Sequence, residues 1–257
     1  MPVSDTFTSE PSERWVRAVK AGVTVVDSRH PVLVWESGRP VPGYAFPEAE
    51  VRTDLLRPAA NPPSGLHEGA TVYLDLTVGD VTVPNAAWVY PGLPGHLAFE
   101  WRGDSGEVFD HWYEEEEEIF VHPRDPYKRV DPIPSSRHVR VEIEGRVVAD
   151  TRAPVLLFET GLPIRYYIPP ADVRFDLLEP TGSHTRCPYK GVASYRSLRD
   201  AGPAVPPDVA WAYPDPIPAA ARIRDHVAFY NEAVDIIVDG VKLARPVTVF
   251  SERLAAS

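Results

Sequence analysis

One cysteine, Cys187, serves all 257 residues, so no disulfide can form within the chain. Structural zinc sites built from four thiolates or from paired CxxC motifs are excluded with it. Long apolar runs are missing too. No stretch approaches the roughly 20 apolar residues that a membrane-spanning helix needs. The opening MPVSDTFTSEPSERW lacks the basic region and apolar run of a targeting segment. Basic charge is short as well: 26 Lys and Arg stand against 37 Asp and Glu, for a formal net charge of −11. Phosphate backbones and anionic lipid surfaces need clustered cations, so neither nucleic acid nor membrane is expected as a partner. The expected partner is a small-molecule ligand, and a reducing cytoplasm is the compartment that fits a lone thiol.

What is present is an ordinary globular composition, 44% apolar and 25% charged, well away from disorder. The 29 prolines exceed an average usage of about 5% and point to short elements joined by rigid turns, hence to β structure. The chain also repeats itself. VWESGRPVPGYAFPEAEVRTDLLRP (Val34 to Pro58) and LFETGLPIRYYIPPADVRFDLLEP (Leu157 to Pro180) carry the same words in the same order. Glu36, Gly38 and Pro40 align with Glu159, Gly161 and Pro163. After a one-residue deletion, Tyr44, Arg52, Asp54 and Leu55 align with Tyr166, Arg174, Asp176 and Leu177. AAWVYP then matches VAWAYP, and HLAF matches HVAF. A period of roughly 110 residues is far longer than the about 20 to 50 of solenoids and propellers, so this is tandem duplication of a domain. The proline-rich HPRDPYKRVDPIPSSRH (His122 to His138) separates the copies. The expected division is a tail over 1–13, a diverged copy over 14–124 and a second copy over 125–257. A monomer whose copies pair about a pseudo-twofold axis fits this organisation.

Within a copy the pattern reads as strands. VRVEIEGRVVADT alternates around Glu144-Gly145, a hairpin-turn pair that Ala21-Gly22 supplies in the first copy. PVLLF is a short apolar run of the buried-strand type, and VRFDLLE and GVASYRSL also read as strands. PAAARIRDHVAF, with proline at a first helical position, permits one short helix. The expected fold is therefore mainly β, two similar antiparallel domains, each with at most a short helix.

The words ETGLPIRYYIPPADVRFDLLEP, CPYKGVASY, VAWAYPDP and HVAFYNEAVDIIVDG, in that order, resemble the bacterial family DUF427, a domain of unknown function. The likeness runs from about Trp15 to Gly240, with the first copy as a diverged member. It implies a compact antiparallel β domain akin to the β-tent group, in which other members hold zinc with cysteines that this chain lacks. The family has carried a nucleotidyltransferase label. This sequence has no glycine-rich phosphate loop followed by Lys and Ser/Thr, and no Gly-Ser followed by paired aspartates to hold magnesium.

Candidate chemistry gathers where the copies differ. Residues kept in both, namely Glu36/Glu159, Trp88/Trp211, Tyr90/Tyr213 and His96/His226, serve the shared architecture first, although a buried glutamate is also a candidate acid or base. RCPYKGVASY (Arg186 to Tyr195) faces SGLHEGATVY (Ser64 to Tyr73), so that Cys187 and Lys190 are replaced by Gly65 and Glu68. A thiol three residues before a cation invites a nucleophile reading, because a nearby ammonium favours the thiolate. Along an extended strand such residues face opposite ways, and they meet only if Pro188 turns the chain. The catalytic candidates are Glu159, Cys187 and Lys190. Arg165, Tyr167, Tyr189, Trp211, Tyr213, Asp215 and Tyr230 are candidate ligand contacts, with core packing and an Asx turn at Asp215 as the plain alternatives. Neither a cofactor nor a metal is expected, since His111, His122 and His138 lack a ligand-type spacing. The run Glu114 to Glu118 reads as a solvated face, or as a strap over Arg165, Arg174, Arg186 and Lys190. The function expected is a small-molecule enzyme of acid–base or hydrolytic type, with its site in the second copy or between the copies. A noncatalytic ligand-binding or assembly module is the alternative.

Overall fold

The computed structural model describes residues 6–103 and 106–255. The chain divides into two compact units, Met1–Asp125 and Pro126–Ser257. In the first unit the strands are β1 (Thr8–Pro11), β2 (Val16–Lys20), β3 (Val23–Ser28), β4 (Val32–Trp35), β5 (Gly43–Pro47), β6 (Leu56–Pro58), β7 (Val72–Val78), β8 (Val81–Val89), β9 (His96–Phe99), β10 (Arg102–Gly103), β11 (Gly106–Glu107), β12 (His111–Glu114) and β13 (Glu117–Ile119). The second has β14 (Val130–Pro134), β15 (Val139–Ile143), β16 (Arg146–Thr151), β17 (Val155–Glu159), β18 (Arg165–Tyr167), β19 (Leu178–Cys187), β20 (Gly191–Leu198), β21 (Ala210–Ala212), β22 (Val227–Phe229), β23 (Asp235–Val238) and β24 (Val241–Lys242). Both units are mainly β, and their strands pair antiparallel.

Each unit packs one large sheet against a smaller one. The first has a seven-stranded sheet, β1-β4-β5-β9-β8-β7-β6, and a four-stranded sheet, β13-β12-β2-β3. In the second, the large sheet falls into β14-β17-β18 and β19-β20-β21-β22, joined by the single bridge Ile168↔Val227. Its small sheet is β16-β15-β23-β24. The hairpins expected at Ala21-Gly22 and Glu144-Gly145 are formed, with φ of 48° and 74° in the first and 49° and 74° in the second. Two successive positive φ angles match the right-handed twist of the flanking strands.

The large sheet is apolar on both faces, which is why PVLLF shows no alternation. On β4, Leu33 and Trp35 enter the core shared with the small sheet, while Val34 joins an outer cluster with Ala45, Tyr73, Trp88 and Tyr90. On β17, Leu156 faces the core, and Val155 and Leu157 join an outer cluster with Tyr167, Tyr195, Trp211, Tyr213 and Tyr230. Strand period assigns these faces. Every shared Tyr and Trp named above, apart from the core pair Tyr44/Tyr166, therefore lies on the outer face.

Three sequence expectations change. VRFDLLE is not one strand: Phe175–Leu177 is a 3-10 turn that precedes β19. Arg174 clasps Asp176 across it at 2.6 Å, as Arg52 clasps Asp54 at 2.7 Å in the first unit, so the repeated Arg and Asp staple a turn. The helix expected from Pro218 is a 3-10 helix, Pro218–Ile223, and gives way to β22. The glutamate run is a hairpin in which Glu115 to Glu118 are exposed, as expected of a solvated face, and only Glu114 departs from that reading. Glu114 is buried on β12, where it takes hydrogen bonds from Arg14 (3.1 Å), Tyr44 (2.8 Å) and the Arg124 amide (3.2 Å). Glu116 and Glu117 pair with Arg17 and Arg124 of the same unit. Arg174 and Lys190, cast as targets of an acidic strap, are matched instead by Asp176 and Glu159.

Gly191 starts β20 at φ 106°, where a Cβ would lie 3.0 Å from the Asp215 carbonyl oxygen. Gly145 has a positive φ but open space around it. Gly191→Ala is expected to cost about 1–3 kcal/mol, more than Gly145→Ala, as read from urea denaturation midpoints. Equal losses would mean that the contact with Asp215 relaxes freely.

Candidate functional site

Glu159 ends β17 on the outer face, beside Leu157 and opposite Val130 in register. Its side chain is only 6% exposed. A carboxylate buried this far needs a counter-charge and hydrogen bonds, without which burial favours the protonated, neutral form. Lys190 supplies both, its Nζ in direct contact with Glu159 Oε2 at 9% side-chain exposure. Lys128 Nζ lies 3.5 Å from Oε1 and donates to the Thr160 carbonyl at 2.9 Å. One carboxylate is therefore shared by two ammonium groups.

The turn at Pro188 brings Lys190 there. The Lys190 amide donates to the Cys187 carbonyl (3.3 Å), and the Lys190 carbonyl accepts from Ile217 (3.1 Å). Cys187, half-buried, packs against the outer cluster. The chain does turn between Cys187 and Lys190, but the ammonium is committed to Glu159.

Around this pair the aromatics form a closed layer. Trp211 Nε1 donates to Tyr167 Oη at 3.0 Å, Tyr195 and Thr185 hydroxyls meet at 2.7 Å, and Tyr230 packs on Trp211 with ring centroids 4.5 Å apart. Burial pushes the Tyr167 and Tyr213 phenols well above 10, and the nearby Glu159 and Cys187 add to the shift. Both phenols therefore stay protonated at neutral pH and can donate hydrogen bonds.

Arg165, buried on β18, forks onto Glu232 at 2.6 and 2.7 Å and reaches Asn231 at 3.3 Å. Thr248 donates to the same carboxylate (2.6 Å), and Phe250 packs on Tyr230 at 5.8 Å. The Glu232 side chain is 2% exposed. Burial alone would raise its pKa, but the Arg165 and Thr248 hydrogen bonds and the Arg165 charge hold it below the ordinary 4.5. Arg165 thus has an internal carboxylate partner.

The structure brings Glu159, Lys190, Cys187, Tyr167, Trp211, Tyr213, Tyr230 and Arg165 to one face, and leaves two candidates out. Asp215 is 91% exposed and paired with Arg224 at 2.9 Å. Tyr189, half-buried in the turn, is not part of the outer cluster. Lys128, Asn231, Glu232 and Phe250 were not legible as site residues. Glu232 sits two residues past Tyr230 in HVAFYNEAVDIIVDG, one of the words that carry the family likeness, which was a usable signal, whereas nothing marks Lys128 within the spacer.

The first unit answers its own glutamate differently. Glu36 Oε1 accepts from Tyr90 (2.8 Å) and from His67 Nδ1 (2.9 Å), and Oε2 accepts from the Glu68 amide (2.9 Å). Reading Cys187 to Lys190 against Gly65 to Glu68 as pure loss is therefore corrected: His67, one place from the aligned Glu68, takes the counter-group's role. A cavity of about 90 Å³ in this unit, lined by Trp101, Phe109, Trp112 and Ile119, lies on the core side and includes none of these residues.

The profile of the family described as a domain of unknown function (DUF427) matches residues 8–102 and 131–240, one segment in each unit. The chain belongs to that family. No curated protein matches it significantly.

Arg165→Met leaves Glu232 buried without its cation and is expected to cost about 3–5 kcal/mol, most of it recovered by adding Glu232→Leu. A double variant no more stable than the single one would remove the pairing argument. The stability owed to Glu232 is fully present above its unfolded value near 4.5 and is lost as pH falls through the lower folded value. Acid unfolding of Arg165→Met/Glu232→Leu should accordingly be less steep below pH 4.5. A thiol titration provides a separate check: Lys190→Met should leave the native Cys187 reaction rate unchanged, and a large fall would show that Lys190 activates the thiol.

Proposed function

We propose that the second unit is a small-molecule enzyme of acid–base type, working through the Glu159–Lys190 pair. The observation that carries this reading is a buried carboxylate shared between two lysines on an aromatic face, where an apolar side chain would cost folding less. A ligand that parts Lys190 from Glu159 meets a carboxylate able to take a proton and an ammonium able to hold the resulting anion. Lys128 remains to balance Glu159. Tyr213 and Tyr167, both protonated at neutral pH, are available as hydrogen-bond donors, and Trp211 and Tyr230 as walls. Cys187 takes no nucleophilic part in this reading, since Lys190, the cation three residues on, is engaged by Glu159. A bacterial cytoplasm is the proposed setting, on the lone thiol and on the family likeness.

Substrates can be sought by incubating the protein in D2O with a panel of small carbonyl compounds and esters, following both exchange of acidic C–H protons and hydrolysis by proton NMR. At least one class should turn over, with Glu159→Gln slowing it by roughly 100-fold or more and Asp215→Asn leaving it unchanged. Compounds that stabilise the fold without turning over would favour the noncatalytic binding module.

A further inference from the structure

After β24 the chain leaves the small sheet and crosses to the outer face of the large one. Lys242 and Arg245 are tied to Asp235 on β23, at 2.7 and 3.0 Å, and Leu243 packs on the core between the sheets. Phe250 and Leu254, by contrast, pack on the outer cluster. Beyond Arg245, every backbone hydrogen bond among the described residues is internal to the segment: the Ser251 amide donates to the Thr248 carbonyl and the Leu254 amide to the Phe250 carbonyl, both at 3.0 Å, where the short helix Ser251–Ala255 begins. Val247 and Val249 are 92% and 77% exposed. A segment with so few buried contacts opens locally at low cost.

What the segment covers is specific. Thr248 donates to Glu232 Oε1 at 2.6 Å, and the Phe250 ring lies 5.8 Å from the Tyr230 ring and 5.7 Å from the Arg165 guanidinium. Trp211 and Tyr230 flank the same guanidinium at 5.6 and 5.7 Å, close enough for each ring face to attract the cation. Of these three rings only Phe250 comes from outside the residues 131–240 that match the family. The first unit has no counterpart to the cation, because Gly43 pairs with Val34 where Arg165 pairs with Leu157.

We propose that the seat formed by Arg165, Tyr230 and Glu232 binds an aromatic compound carrying a hydroxyl donor, and that residues 246–255 cover it as a displaceable internal ligand. Phe250 stands in for the ring, over Arg165 and against Tyr230. The Thr248 hydroxyl stands in for the ligand's donor at Glu232. The ligand needs no further cavity, since it takes the volume that Phe250 and Thr248 leave. The seat rests on the reading of the outer face as the substrate face, and adds to it a ligand class and a cover; Tyr230 connects it to Trp211 and so to Tyr167.

Benzyl alcohol is the probe, with benzyl methyl ether, which keeps the ring and loses the donor, as its control. In the intact chain, amide hydrogen exchange at Ser251 and Leu254 should be fast compared with β21, and should accelerate as benzyl alcohol is added while β21 does not. Phe250→Ala, which withdraws the resident ring, should tighten benzyl alcohol binding by about tenfold, and the ether should bind about tenfold more weakly than the alcohol, each one contact's worth. Thr248→Val should speed Ser251 and Leu254 exchange and leave β21 unchanged. Acceleration of β21 in Thr248→Val would show the segment to be a structural part of the unit and would overturn the proposal. So would an ether bound as tightly as the alcohol, or no binding of benzyl alcohol up to about 100 mM in both the wild type and Phe250→Ala. Neither readout needs turnover, so a protein that turns nothing over still tests the seat, and one that turns over with its segment unmoved still refutes the cover.

Discussion

A glutamate on the wrong side of a sheet organises both units. The large sheet is covered on both faces, so Glu36 and Glu159, which follow Val34 and Leu157 outward by strand period, end in apolar surroundings. Desolvating a carboxylate costs several kcal/mol unless cations or N–H and O–H donors replace the lost water. The nearby turns and loops can be understood as the means of delivering those groups. In the second unit the Pro188 turn presents Lys190; in the first, the loop before Gly69 lays down His67 and the Glu68 amide.

Much of the fold was legible. The repeat gave two domains, positive-φ turn pairs marked the hairpins, and apolar runs located strands buried on both faces. What escaped was decided by contacts across the chain. VRFDLLE alternates like a strand, yet Phe175–Leu177 is a 3-10 turn, held where the Arg174 amide donates to the Val148 carbonyl and the Leu177 carbonyl accepts from the Arg199 amide. Glu114 belongs to a charge run, but its burial is set by Arg14 and Tyr44, far away in sequence.

The site was partly legible for the same reason. Shared and unshared residues named Glu159, Lys190 and the aromatic group, since local register fixes which of them face outward. The partners were not readable. Lys128 lies in a spacer whose course is set by proline geometry, and Arg165 meets a carboxylate from a different strand end. Alignment placed Glu68 opposite Lys190 and so read a lost charge, when the replacing group sits one residue earlier.

The same tryptophan is accommodated in two ways. Trp211 has its indole edge satisfied by the Tyr167 hydroxyl, whereas Trp88 faces Ala45 at that position and has its ring face covered by His67 instead. Each solution rests on a partner that the other unit lacks, Tyr167 in one and His67 in the other. Grafting one unit's chemistry onto the other is therefore a block exchange, and substitutions within a block should be strongly epistatic. The two copies, built to one plan, are no longer interchangeable in their parts.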